Sequence, residues 1–243
     1  MLYLILTIVF SVLLLVNFRA HAKFNIDTRI AILLNYPVCF LTGYFHQMNA
    51  IPFHWPSTGY SMGIIGIGIG LGIDKLTASA FEAFLKVNKT PLVIDADGIN
   101  LLSQKKTLLK LLKPNTILTP HPKELERLIG KWKDDFDKLK KVKAFSKKYN
   151  VIVVVKGAHT IIVQGDKFYI NSTGNPGLAT AGSGDVLTGI ITGLLAQKYK
   201  PLLAAIFGVY FHGKAGDKAA KQKGYSSLIA SAHFFLISSR PTN

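Results

Sequence analysis

One stretch of the chain, "TGNPGLATAGSGDVLTGIITGLLAQ" (residues 173–197), collects small residues, sets a single acid among them and then turns regularly apolar. Gly182 and Gly184 permit backbone conformations that other residues avoid and let a ligand approach the main chain. The apolar residues Val186, Leu187, Ile190, Ile191, Leu194 and Leu195 recur at helical spacing, so a helix begins at the glycines. The first N–H groups of such a helix lack internal partners, and its dipole favours negative charge at that end. A phosphate or a developing anion is the natural occupant. Asp185 is out of place beside an anion unless the chemistry needs a base. A carboxylate that takes a proton from a hydroxyl next to a cradled phosphate is the arrangement for phosphoryl transfer. Spacing leaves a second reading open, in which Asp185 only caps the helix. The loop is neither G-x-x-x-x-G-K-[ST] nor G-x-G-x-x-G, so it is not a phosphate motif of those two kinds.

The elements that must hold these residues follow from the pattern after Met62. "MGIIGIGIGLG" (62–72) is an apolar strand running into glycines, and "DKLTASAFEAFLKVN" (74–88) has helical spacing. "PLVIDADGINLLS" (91–103) is a buried strand ending in acids, followed by a short helix. "NTILTPHPKELERLIG" (115–130) repeats strand, proline-flanked turn and helix. Residues 143–174 give a helix end, a strand, a turn and two further strands; a last helix covers "PLLAAIFGVYFHGKAGDKAA" (201–220). This alternation predicts an α/β fold in three layers, with a mainly parallel central sheet and helices on both faces. Runs such as "VIVVV" suit strands buried on both sides. Asp95, Asp97 and Asn100 then fall at the carboxyl end of a parallel strand, where open α/β sheets bind ligands.

Composition bounds the rest. The 243-residue chain is 49% hydrophobic, enough for a substantial core, so disorder is excluded. The single cysteine, Cys39, excludes an internal disulfide framework and fits a reducing compartment, hence a cytoplasmic location. The net charge of +16 is carried mostly by lysines in residues 105–113 and 131–150, at the spacing of two solvated helix faces. Arginine is scarce, so nucleic acid is not the expected partner, although the positive balance attracts anionic small molecules such as nucleotides.

Residues 1–61 differ in texture from residues 62–243, which read as one catalytic domain. The segment opens with "MLYLILTIVFSVLLLV" and carries only Arg19, Lys23, Asp27 and Arg29 as formal charges. Three readings stand open: a signal peptide or anchor with Ala20-His21-Ala22 as cleavage site, an altered start such as a shifted reading frame, or an ordinary buried segment. Membrane contact or export is expected only if residues 1–16 are a real anchor, and that run is short for a span.

The motif "NPGLATAGSGDVLTGIITGLLAQ" closely resembles that of the ADP/ATP-dependent NAD(P)H-hydrate dehydratases, a ribokinase-like branch that includes the C-terminal domains of bifunctional repair enzymes. "GIGIGLG", "PLVIDADGIN", "ILTPHPKELERL", "VVVKGAHTIIV" and "GVYFHGKAGDKAA" occur in that family's order, so the likeness runs from Met62 to Ser231. The resemblance implies repair of hydrated NADH and NADPH (NADHX and NADPHX) with ADP or ATP and Mg2+, by phosphorylation of the added hydroxyl and loss of phosphate. It implies Asp185 as catalytic base and substrate contact, and Gly184 with Lys156, Gly157, Ala158, His159 and Thr160 as nucleotide contacts. It implies Gly70 and His121 as substrate contacts, Ala181, Gly182 and Ser183 as anion donors, and Glu124 as an aid to magnesium. A homo-oligomer is expected. The alternatives are a vitamin-precursor kinase of the same fold, or a degenerate chain without turnover.

The chain departs from the family in places. Ile69 stands where proline is usual, and Gly98 where alanine is usual. Residues 1–61 contain no G-x-x-G-x-x-G-A turn with its alanine-rich helix, so the first β-α-β unit is expected to be missing. After Ser231, Ala232 and "HFFLISSRPTN" replace the usual aspartate and amphipathic helix.

Overall fold

The computed structural model describes residues 66–67 and 71–224. The expectations for residues 1–61, for Gly70 and for the tail after Ser231 lie outside the described residues. Strand β1 (Gly66–Ile67) is followed by α1 (Lys75–Val87), β2 (Val93–Ile94), α2 (Ala96–Gln104), a 3-10 turn (Lys106–Leu111) and β3 (Ile117–Leu118). Then come α3 (Pro122–Ile129), α4 (Asp135–Tyr149), β4 (Ile152–Val155), β5 (Ile161–Gln164) and β6 (Lys167–Ile170). A short 3-10 turn (Pro176–Leu178), α5 (Ser183–Ala196) and α6 (Pro201–Lys223) complete the order.

The six strands form one sheet in chain order. β1 to β4 run parallel, with Gly66 opposite Val93, Val93 opposite Ile117, and Ile117 opposite Ile152. β5 and β6 return as antiparallel hairpins at one edge. The parallel part needs helical crossovers, and the chain supplies them between each pair of strands.

Side chains alternate between two cores with the period of a strand. Leu92, Ile94, Leu118, Val153, Val155 and Val163 face α1 to α4, where Leu85, Leu101, Leu125 and Val142 meet them. Val93, Ile117, Ile152, Val154 and Ile162 face the other way, onto Leu187, Ile191 and Leu195 of α5 and Ala204, Ala205 and Val209 of α6. The expected three layers are therefore present, α1 to α4 on one face and α5 with α6 on the other. α6 lies close because it offers small residues: a Cβ at Gly208 would come within 2.5 Å of Ile191 Cγ1.

Each helix start has a local cause. Asp74 caps α1 by accepting from Leu76 and Thr77 N–H, each at 2.9 Å. Those bonds, Thr77's first, hold its carboxyl below the usual range. Asp134 caps α4 through Asp137 N–H. The lysine-rich stretch at 131–150 is, as its spacing implies, largely a solvated face of α4. The stretch at 105–113 is a 3-10 turn that buries Leu108 and Leu109. No helix among the described residues is long and apolar enough to cross a membrane.

Candidate active site

Three parallel strands end side by side and each delivers a polar residue. β2 ends at Asp95, β3 continues through Thr119 and Pro120 to His121, and β4 ends at Lys156. Backbone bonds lock the three ends together: Thr119 N–H donates to Ile94 O at 3.1 Å and Lys156 N–H to Pro120 O at 3.0 Å. Carboxyl ends of parallel strands are the usual ligand edge of an open α/β sheet.

Asp95 is 1% exposed and fully engaged. Its Oδ1 accepts from Lys156 Nζ at 2.7 Å and from Ala96 N–H at 2.9 Å, and its Oδ2 from the Thr188 hydroxyl at 3.0 Å. Ala96, the first residue of α2, holds a left-handed φ of 44°. A non-glycine residue there costs roughly 1–2 kcal/mol, so the surroundings must impose it. Lys156, open to a solvated-surface reading on sequence alone, is a half-buried partner of this acid.

α5 begins at the same place. Gly182, its N-cap, has φ 83°, a conformation suited to glycine, and no side chain caps the helix. Ser183 N–H turns back to Thr180 O at 3.2 Å, and Val186 N–H to Gly182 O at 3.1 Å. The Gly184 and Asp185 N–H groups find no acceptor among the described residues, so two donors and the positive helix end face outward. Gly184 is small for a packing reason: a Cβ would sit 3.3 Å from Lys156 Nζ and 3.5 Å from Asp95 Oδ2. A cation therefore stands over the same turn that offers the two N–H groups.

Asp185 is the third residue of α5 and half-buried. The capping alternative does not hold, since Gly182 occupies the cap position and the Asp185 carboxylate makes no hydrogen bond among the described residues. Burial raises its pKa above the usual carboxylate value, the negative charge of Asp95 raises it further, and Lys156 opposes both. A carboxylate shifted in this direction suits a general base.

His121 is the N-cap of α3. Its Nδ1 accepts from Lys123 N–H at 3.1 Å, and its own N–H donates to Glu124 Oε2 at 2.8 Å. Its Nε2 lies 3.2 Å from Glu124 Oε1, which fixes the tautomer with hydrogen on Nε2. Glu124 is buried, with both oxygens turned to His121. Pro122 starts the helix, and this capping box holds the imidazole in one orientation while leaving it partly exposed.

Lys156 to Thr160 form the five-residue loop between β4 and β5; Gly157, Ala158 and His159 are exposed, and the Thr160 hydroxyl donates to Gly157 O. Ala181 is exposed beside the α5 cap. Asp97 Oδ2 accepts from Gly72 N–H at 3.0 Å, tying the loop after β1 to α2, whereas Asn100 is engaged by Arg127 on the outer surface. The geometry thus gathers Asp95, Lys156, Gly184 and Asp185 at one point. It sets the His121–Glu124 pair on the adjacent strand end.

Three residues escape a linear reading. Thr188 lies three positions after Asp185 on the same helical face, and only that spacing hints at its bond to Asp95. His212 of α6 meets the buried Ser183 hydroxyl at 3.1 Å. Asp217 of α6 accepts from Gly174 N–H and from Asn175 Nδ2, each at 3.0 Å, and so pins the loop leading to the glycines. In that loop the Thr180 hydroxyl is buried without a partner among the described residues. No group of three or more His, Cys, Asp or Glu among the described residues is placed to hold a metal ion.

Fold and site together define a ribokinase-like α/β domain. The chain superposes on a ribokinase-like superfamily protein of Enterococcus faecalis with TM-score 0.62 and 33% identity, covering 72% of this chain and 62% of that one. It is similar to the ADP/ATP-dependent NAD(P)H-hydrate dehydratase of Bacillus subtilis co-crystallised with ATP/Mg2+, with TM-score 0.58 and 29% identity over 72% of this chain and 62% of that one. The family model for NAD(P)H-hydrate dehydratase matches residues 48–236, and the chain belongs to that family. Among curated relatives, the bifunctional NAD(P)H-hydrate repair enzyme Nnr of Moorella thermoacetica is 43% identical over 170 residues, 69% of this chain. The chain spans 32% of that relative's length.

Proposed function

We propose that the chain dehydrates hydrated NADH and NADPH at the expense of a nucleotide, ADP or ATP. Asp185 takes the proton of the hydroxyl added to the nicotinamide ring, and the freed oxygen attacks the terminal phosphoryl group. The nucleotide leaves one phosphate shorter. The ring C–O bond then breaks, phosphate departs with its electron pair, and loss of a ring proton restores the double bond. Gly184 and the loop Lys156, Gly157, Ala158, His159 and Thr160 hold the nucleotide. The N–H groups at Ala181 and Gly182 face the charge that develops on transfer, whereas that of Ser183, expected with them, is already given to Thr180 O. His121, with Gly70, orients the hydrated ring.

The observation that carries this reading is the first turn of α5: unpaired N–H groups, the Lys156 ammonium above Gly184, and a carboxylate of raised proton affinity one residue further on. Magnesium is normally held by one or two carboxylates together with phosphate oxygens, and it neutralises charge on the transferring group. Glu124, already turned to His121, would reach the ion through water.

A reducing cytoplasm, where the nucleotides and the single cysteine coexist, is the fitting location. Association of like chains has a natural surface in the exposed aromatic face of Tyr199, Phe207, Tyr210 and Phe211, which light scattering would test. The activity is tested by giving the purified chain hydrated NADH, magnesium and either ADP or ATP. Return of the near-ultraviolet absorbance of the dihydronicotinamide ring is the expected result. A phosphorylated product that accumulates without that return would mark a small-molecule kinase instead.

A further inference from the structure

We propose that Asp95 is the positioning residue of this site, holding the Lys156 ammonium and the base-bearing turn of α5 in one arrangement around the transferring phosphate. The inference rests on the reading of Asp185 as base. Asp95 itself reaches into no open space. It is buried, and its two oxygens bind three elements: Lys156 at the end of β4 at 2.7 Å, Ala96 at the start of α2 at 2.9 Å, and Thr188 on α5 at 3.0 Å.

Lysine is a flexible four-carbon stem, and without a partner its ammonium would sample many positions. Asp95 reduces these to one, within touching distance of Gly184. Thr188 stands one turn after Gly184 on the same face of α5, so its bond to Asp95 sets the rotation and height of the turn that bears Asp185. The left-handed Ala96 directly after Asp95 marks backbone held in a costly shape at the clamp.

Asp95 also acts by charge. The charged groups facing Asp185 are Asp95 from the end of β2 and Lys156 from the end of β4; from α6, His212 meets the same helical turn at Ser183. Beyond burial, Asp95 raises the proton affinity of Asp185 and Lys156 lowers it. Two substitutions at one ion pair should therefore move the base in opposite directions, which general damage to the fold would not do.

The test uses the full chain labelled with carbon-13 aspartate. The titration of the Asp185 carboxyl is followed by NMR, beside the pH profile of kcat/KM and the affinity for ADP. Asp95→Asn should lower the Asp185 midpoint and the acid limb of the profile, reduce kcat by about tenfold or more, and hold ADP affinity within about threefold. Lys156→Met should raise the midpoint and weaken ADP. If both variants leave Asp185 in place and only lower the unfolding temperature, Asp95 is a structural ion-pair member and the proposal is overturned. Should Asp95→Asn fail to fold, Thr188→Val removes a single bond: a kcat reduced by about threefold or more supports the clamp, and an unchanged kcat overturns it. A wild-type chain with no dehydration activity sinks the proposed reaction, while the paired NMR titrations still decide for or against the clamp.

Discussion

Lys156 and Asp95 stand 61 positions apart in the chain and 2.7 Å apart in space, joined by an ion pair whose acid is almost wholly buried. Burying two charges is costly unless they pair well and their remaining atoms are hydrogen-bonded, and here the backbone of Ala96 and the Thr188 hydroxyl complete the set. The pair fixes a cation at the head of α5 and leaves Asp185 as the carboxylate of that turn without a hydrogen bond among the described residues.

Replacing Asp185 by asparagine should reduce kcat by roughly 10²–10⁴-fold, the usual worth of a positioned base. Nucleotide affinity should stay the same or improve, because a negative charge beside the phosphates is removed. Steady-state rates with calorimetric ADP binding decide it; a variant of normal turnover would show that Asp185 is no base.

The same residue predicts a pH effect on stability. Its folded-state pKa lies above the ordinary 3.8, mainly through burial and then through Asp95. The folded chain thus binds this proton more tightly than the unfolded chain. The contribution is fully present below the unfolded value and is lost as pH rises through the folded one. Wild type should lose stability relative to Asp185→Asn across that window and remain at the disadvantage near neutrality, as urea unfolding at several pH values would record.

Gly184→Ala should separate binding from folding. The added Cβ lands 3.3 Å from Lys156 Nζ and 3.5 Å from Asp95 Oδ2, so the ammonium must give way by a few tenths of an ångström at the anion site. ADP affinity should fall by about tenfold, close to 1.4 kcal/mol. The unfolding midpoint should hold, because alanine is the better helix former. Unchanged ADP binding would remove Lys156 from the nucleotide site.

Two glycines should respond oppositely in thermal melts. A Cβ at Gly213 would lie 2.2 Å from Thr173 Oγ1 and 2.8 Å from the Thr173 carbonyl carbon, so backbone must shift and Gly213→Ala should cost about 1–3 kcal/mol. Gly189 in α5 meets nothing within 4 Å, and Gly189→Ala should gain about 0.5–1 kcal/mol.

His121→Ala should cost about 0.5–2 kcal/mol through the lost cap of α3. It should also raise KM for the hydrated cofactor without altering ADP affinity, because the imidazole is exposed on the strand end next to Asp95. A KM equal to that of wild type would leave His121 as a cap alone.

Much of this architecture was legible before any coordinates. Apolar runs such as Val151 to Val155 can satisfy themselves only between two helical layers, and the structure buries all of them. The glycines at 182 and 184 announced a helix start open to an anion, because small residues before an apolar period leave donors unscreened. The lysine-rich run at 105–113 misled in part: its leucines match helical spacing, yet the segment closes as a 3-10 turn that buries Leu108 and Leu109, with Leu112 buried just beyond it.

The order of residues alone determined the strand–helix alternation, the ligand edge at Asp95 and the candidate base at Asp185, for these depend on local periodicity and on the chemistry of neighbouring residues. Tertiary structure alone decided that Lys156 belongs to Asp95, that Thr188 is their third partner, that His212 reaches Ser183 and that Asp217 steadies the glycine loop. The physical reason is that each of these bonds joins elements brought together only by the burial of two apolar faces of one sheet. A charge's partner is set by where the core places it, and linear spacing does not carry that information.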